Sequence, residues 1–349
     1  MKLSIVVPVY NMAGDHKLEY CLDSLLNQNL EDAYEIIPVD DASTDESAMI
    51  LRKYEKEHSD KIHPVYCMHN HRQGGARNRG MEKARGEWIG FMDSDDFAHP
   101  DMFAKLLKKA AQTGADVVGC HYNLTTEHSL KVGKVVKANT PEQTGILAKE
   151  QYAGLILNPG SMVIKIYKSD VIRDKELSFP EDTFYEDNQA GPLWMLAFSH
   201  FELVDEPLYY YYQNSESTVH QVSLERLHNR MSMSEGLVHL CEERGYMESF
   251  KNEIEANFIR CYYVNTLFSY VQNAVETGAK ISIDFLKELR GGVLKYFPSF
   301  QANPYYERAY DAEQKKLIAM HMKSPAKFRT YYKMLTTYRK IRYGKKQKS

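Results

Sequence analysis

The sequence predicts an α/β fold, with a Rossmann-like, mainly parallel sheet flanked by helices, followed by a mostly α-helical C-terminal region. Three observations predict it. Short apolar runs alternate with helix-period segments over the first ~125 residues, as a parallel sheet with crossover helices requires. Two of those runs end in acids, at the sheet edge where open α/β folds bind ligands. Beyond His220 the apolar periodicity is nearly all helical.

Strands are expected over residues 3–9, 34–39, 63–68, 87–92 and 116–122. Between the first two, Leu18, Cys21, Leu22, Leu25 and Leu26 recur at the spacing of an amphipathic helix. Ser43 and Glu46 have capping-box spacing ahead of a second helix through Met49, Ile50 and Tyr54. Pro100 and Gly114 bracket a third, with Met102, Phe103, Leu106 and Leu107 inward. Residues 124–144 are polar and β-prone and read as a hairpin or mobile loop. A buried strand over 160–167, a helix over 189–198 and an aromatic strand over 201–212 close the first domain. Helices follow over 224–244, 248–276 and 284–294, then a long C-terminal helical segment. The expected division is a catalytic domain over residues 1–220, itself split at 125/126, and a helical region with a basic tail over 221–349.

Of 349 residues, 43% are hydrophobic and 26% charged, which suits a globular chain with a sizeable core. The net charge of −3 gives no basic excess that would select nucleic acid as the main partner. Five cysteines, scattered and without a CxxC pair, read as buried reduced thiols and not as a zinc or redox site. No apolar run approaches the ~18–20 residues of a membrane span, and only Lys2 separates Met1 from the first strand. A cytoplasmic location is the expectation.

Four segments carry chemistry. SIVVPVYN ends a strand on Pro8, Val9, Tyr10 and Asn11, so its carboxyl end emits an aromatic ring, either a rim aromatic or a stacking platform. VDDAST ends the next strand on Asp40 and Asp41, which can cap a helix or accept a base N–H or ribose hydroxyls. GFMDSDDF ends a third on Asp93, Ser94, Asp95 and Asp96. Adjacent acids repel unless a cation is present, and oxygen-only ligands suit Mg²⁺ or Mn²⁺ on a diphosphate, although loop acids can also cap the following helix. In QGGARNRG, Gly74 and Gly75 permit close backbone approach at the entry to a helix bearing Arg77, a bidentate donor for an acidic ligand.

In this order and spacing, SIVVPVYN, VDDASTDES, QGGARNRGMEKARGEWIGFMDSDD, FYEDNQ and PLYYYY resemble the family 2 glycosyltransferases with the GT-A fold, across roughly residues 1–220. The resemblance implies an inverting hexosyl- or N-acetylhexosaminyltransferase that uses a nucleoside diphosphate sugar, with UDP the expected nucleotide. It implies that Tyr10 stacks on the base, that Asp41, or else Asp40, binds its N–H edge, and that Arg77 contacts the nucleotide. Asp93 would hold the ribose and Asp95 the metal, Mn²⁺ or Mg²⁺, with Ser94 at the variable position of a DXD motif. Pro8, Val9, Asn11 and Gly74 complete the expected donor site. Residues 1–125 would form the donor half and 126–220 the acceptor half. In FYEDNQ, Asp187 would be the general base and Glu186 its neighbour, since an attacking hydroxyl must lose its proton. Without the family context, an acid pair there is also a common helix-start preference.

The sequence departs from the family after PLYYYY, where an Arg is usual: Tyr212 and Gln213 stand there, and Ser217, Thr218 and His220 follow. His220 is either a metal or phosphate contact or a plain surface histidine. Rival readings are a sugar nucleotidyltransferase, which would want a glycine-rich basic loop that VPVYNMAGDHK lacks, and a catalytically silent nucleotide-sugar-binding or scaffold protein. After Glu313 no acid occurs, while twelve Lys and Arg residues interleave with Phe328, Tyr331, Tyr332, Tyr338 and Tyr343. Such a tail can rest on an anionic membrane surface, where a lipid-linked glycan acceptor would be met, or form a solvated or oligomerising helix.

Overall fold

The computed structural model describes residues 1–131, 133–213 and 222–343, the side chains of Lys340 and Tyr343 excepted. The chain divides into two compact units, Met1–Thr218 and Val219–Ser349.

In the first unit, strands β1 (Leu3–Val9), β2 (Tyr34–Asp40), β3 (Val65–Tyr66), β4 (Trp88–Phe91), β5 (Phe97–Ala98), β6 (Val117–Thr125), β7 (Lys134–Val136), β8 (Gly145–Ile146), β9 (Lys165–Lys168) and β10 (His200–Tyr212) form one sheet. Its main order is β3-β2-β1-β4-β9-β6-β10-β5. The pairs β3/β2, β2/β1, β1/β4 and β6/β10 are parallel, and β9 runs antiparallel between β4 and β6. The carboxyl ends of β1, β2, β4, β6 and β10 therefore share one edge. β1 and β2 are buried at every position, which explains why they read as mostly apolar runs without polar alternation.

Helices α1 (Lys17–Leu26), α2 (Ser47–Glu57), α3 (Arg72–Lys83) and α4 (Met102–Thr113) are the connections of the first half; α5 (Lys149–Leu157), α6 (Ser169–Asp174) and α7 (Glu186–Met195) belong to the second. Leu18, Cys21, Leu22 and Leu25 form the buried stripe of α1, and Gly114 ends α4 with a left-handed φ of 73°. The residues around Ser43 differ from expectation. The Ser43 hydroxyl accepts from the Asn11 N–H, so it does not cap α2, which starts only at Ser47 after Glu46. Residues 63–68 contribute just the two-residue β3, and the strand expected over 160–167 begins at Lys165. The Lys165 ammonium is buried and donates to the carbonyls of Pro159 and Ser161 (2.9 and 2.8 Å). Burial pulls its pKa down to about 7. The turn it holds packs Pro159 against Gly191 of α7. Within 124–144, β7 pairs antiparallel with β6 as a hairpin.

The second unit is helical: α8 (Leu224–Glu243), α9 (Met247–Phe258), α10 (Thr266–Thr277), α11 (Ile283–Tyr296), α12 (Tyr306–Ala309), α13 (Ala312–Lys323) and α14 (Pro325–Tyr343). The continuous helix expected over 248–276 is interrupted by a π-helical stretch, Ile259–Asn265. Apolar periodicity does not reveal such a change of pitch. Among the described residues no helix is long and apolar enough to cross a membrane. Four of the five cysteines are buried, Cys67 is half-buried, and none forms a disulfide.

Candidate active site

The site grows from the shared edge of the parallel strands. Pro8 and Val9 are buried within β1 and offer only backbone there, whereas Tyr10, the next residue, is 43% exposed. Asn11 turns with a φ of 54°, and its Oδ1 accepts from the Thr44 N–H (2.8 Å), which fastens the β1 loop to the β2 loop. Ala42, Arg72, Asp182 and Tyr185 also have positive φ. Such backbone costs free energy in non-glycine residues and tends to gather at functional loops.

At the end of β2 the two acids part company. Asp40 Oδ1 accepts from the Ser43 N–H (3.2 Å) and organises its own loop. Asp41 Oδ1 accepts from the His71 N–H (2.8 Å), and burial raises its carboxyl pKa. His71 leads into α3, so Asp41 is tied to the helix that carries Gln73, Gly74 and Arg77.

Gly74 turns its Cα toward protein. A Cβ there would stand 2.0 Å from the Pro180 carbonyl oxygen and 3.3 Å from Glu186 Cγ, so the missing side chain lets the segment before α7 close onto α3. That closure gives Arg77 two protein partners. Only 3% exposed, Arg77 points inward and spans two acids: Nη1 donates to Glu186 Oε1 (2.7 Å) and Nη2 to Asp93 Oδ1 (3.0 Å). Its guanidinium carbon lies 5.2 Å from the centre of the Phe179 ring, and its Nε has no hydrogen-bond partner among the described residues. The guanidinium is thus a strut between the DSDD and ED segments. Gln73 Nε2 adds a second donor to Asp93 Oδ1 (2.6 Å).

The remaining acids of DSDD divide between structure and solvent. Ser94 is buried. Asp96, which had no expected role, is buried beneath the site. It accepts from the Tyr209 hydroxyl and from the Tyr212 N–H (2.8 Å), while the Asp93 N–H donates to that same hydroxyl (3.4 Å). Burial, then Asp95 and Asp93, push the Asp96 carboxyl well above the usual range. The β10 tyrosines therefore anchor the loop that carries the acids. PLYYYY was legible as a motif, but its hydroxyl partner was not.

Asp95 is different. It accepts no hydrogen bond from another residue among the described residues; burial, then neighbouring Asp93, push its carboxyl up to about 6, and Lys17 opposes weakly. An oxygen donor beside a second carboxylate, short of positive charge, fits a hard divalent cation. The described residues contain no cluster of three or more His, Cys, Asp or Glu side chains able to hold a metal. His220, the other expected metal contact, lies outside the described residues.

Glu186 and Asp187 open α7, following Tyr185 in a left-handed conformation. Glu186 is buried, and burial raises its pKa even though Arg77 acts in the opposite sense. Asp187 is solvent-accessible yet crowded by protein, which raises its pKa too; Arg77 again opposes and Asp93 reinforces the rise. A carboxylate that is accessible and more basic than usual is equipped to take a proton.

The profile of Glycosyl transferase family 2 matches residues 4–161. The chain is 34% identical over 224 residues to the uncharacterized glycosyltransferase EpsJ of Bacillus subtilis (strain 168), covering 62% of each chain. It is 30% identical over 264 residues to the putative glycosyltransferase EpsH of the same organism, covering 72% of this chain and 73% of EpsH. The aligned region thus falls short of two thirds of EpsJ and exceeds it in EpsH. Among solved structures, S. aureus TarS 1–349 in complex with UDP-GlcNAc superimposes with a TM-score of 0.66 at 19% identity, covering 97% of this chain and 92% of that one. At that identity the likeness shows the fold, which is GT-A.

Proposed function

Because the chain belongs to glycosyl transferase family 2, we propose that it moves a sugar from a nucleoside diphosphate sugar to a glycan hydroxyl with inversion of the anomeric centre. One observation carries the reading. Arg77 draws Asp93 of DSDD and Glu186 of ED onto a single guanidinium, so the acid expected at the donor and the acid beside the expected base meet beyond the ends of β1, β2 and β4.

The donor is a UDP-sugar carrying a hexose or N-acetylhexosamine; the binding of UDP-GlcNAc by the S. aureus neighbour supports this choice. The exposed Tyr10 ring stacks on the base, Asp41 reads its N–H edge, and Asp93 uses its second carboxylate oxygen for the ribose. Asp95, with Asp93, would hold Mn²⁺ or Mg²⁺. When bound, the cation neutralises charge on the departing diphosphate. Asp187 takes the proton of the attacking hydroxyl, and attack opposite the leaving group inverts the centre, as at other glycosidic carbons. Glu186, held by Arg77, fixes the first turn of α7 so that Asp187 faces the acceptor. Residues 1–125 form the donor half and 126–220 the acceptor half, within a catalytic domain ending near residue 220.

UDP is expected to raise Tm in a metal-dependent manner, by an amount equivalent to ~2.7 kcal/mol at a hundred-fold excess over Kd. Differential scanning fluorimetry with Mn²⁺, Mg²⁺ or chelator checks this. The absence of a shift with every nucleoside diphosphate would sink the assignment. Asp95→Asn keeps the shape of the side chain but removes a negative ligand. The variant is expected to fold normally and lose the metal-dependent part of the UDP shift. A parental response would move the cation to another acid.

A further inference from the structure

Helix α14 has three faces. Phe328 is fully buried, with its ring 5.1 Å from that of His321 on α13, and Tyr332 and Leu335 continue this packed face at i+4 and i+7. A second stripe, at the same spacing, consists of Met334, Tyr338 and Ile341, which are 67%, 54% and 62% exposed. Large apolar side chains in register on a helix whose other face is already docked are not explained by the packing of this unit. Arg329 and Lys333 occupy the third face, on one flank of the stripe. Lys327 stands at its N-terminal end, seven residues ahead of Met334, and Arg342 Nη1 donates to the Tyr338 hydroxyl (2.7 Å).

Several charges on and just before this helix lack local counterparts. No Asp or Glu occurs after Glu313, so α14 contains no carboxylate. Glu313 is taken by Arg339, and Glu307 by Lys315. Lys323, Lys327, Arg329 and Lys333 form no ion pair among the described residues. An apolar stripe beside uncompensated bases complements a surface that is apolar beneath an anionic layer.

We infer that α14 binds the surface of an anionic lipid bilayer, with Met334, Tyr338 and Ile341 entering the boundary between headgroups and acyl chains and Lys327, Arg329 and Lys333 facing lipid phosphates. A nucleic acid would use the bases but leave the apolar stripe in water. A second copy of the helix would bring like charges together. This inference is independent of the donor reading, since it needs neither UDP nor the site acids.

The test is co-sedimentation of the full chain with phosphatidylcholine vesicles, with and without phosphatidylglycerol, at low and high salt. The parent is expected to bind the anionic vesicles, to release them at high salt, and to bind the zwitterionic ones at least ~10-fold more weakly. Met334→Ser/Tyr338→Ser/Ile341→Ser, which keeps every charge, should weaken binding at least ~10-fold. Lys327→Gln/Arg329→Gln/Lys333→Gln should weaken it about 100-fold, at roughly fivefold per charge. Both variants should keep the parental Tm and UDP response, which separates this test from that of sugar transfer. Failure of the parent to bind, parental binding by the apolar variant, or equal competition by a DNA duplex would each overturn the assignment.

Discussion

Asp187→Asn is expected to lower the rate of sugar transfer by ~10²–10⁴-fold, or roughly 3–5 kcal/mol of barrier, while donor binding survives. An amide of nearly equal size preserves the first turn of α7 but cannot accept the proton of the attacking hydroxyl. Asp187 is solvent-accessible and apart from the buried contacts of Arg77, so the stabilisation by UDP and metal should be unchanged. Single-turnover transfer to a verified acceptor, read beside the UDP thermal shift, checks both halves. Near-parental turnover would move the base elsewhere, with Glu186 the first alternative. Loss of the UDP shift as well would place Asp187 in the donor site and remove the main support for single displacement.

Arg77→Met is expected to cost about 3–5 kcal/mol of folding stability, because it leaves Glu186 buried without its cation. The sign of the pH dependence follows. Burial already raises the folded Glu186 carboxyl from its ordinary 4.5 toward about 7, and loss of Arg77 raises it further. A carboxyl raised in the folded state contributes its stability below 4.5 and loses it as pH rises through the folded value. Below about 7 Glu186 is protonated in both folded proteins and needs no partner, so the deficit of the variant relative to the parent should open only as pH rises above about 7. Urea unfolding at a series of pH values measures this. Adding Glu186→Gln to Arg77→Met should recover part of the loss, since the buried charge is then gone. A nucleotide-contacting Arg77 would give a different result: weaker UDP binding, little change in stability, and no recovery in the double variant.

Much of this was legible in the chain itself. Strand and helix identity follow from local apolar spacing, so β1, β2, α1 and α4 appear in the sequence nearly as they are in the structure. The acids at the ends of β2 and β4 also announce themselves, because polar residues directly after buried runs must lie at the sheet edge. Tertiary structure decided what those residues do. Ser43 had the spacing of a cap, but Asn11, 32 residues away, claims its hydroxyl. Arg77 had the chemistry of a bidentate donor for an acidic ligand, and the acids it meets in the fold are the protein's own: Gly74 admits the Pro180 carbonyl and so brings Glu186, 109 residues away, to its guanidinium. Asp96 looked like its neighbours Asp93 and Asp95 until Tyr209, 113 residues on, bonded to it from below. The exposure of Met334, Tyr338 and Ile341 could be seen only once Phe328 had chosen the packed face of α14. Local periodicity records which side of an element avoids water. The partner of a buried charge is set by which distant segment can approach closely enough to replace its hydration, and only the folded chain brings that segment near.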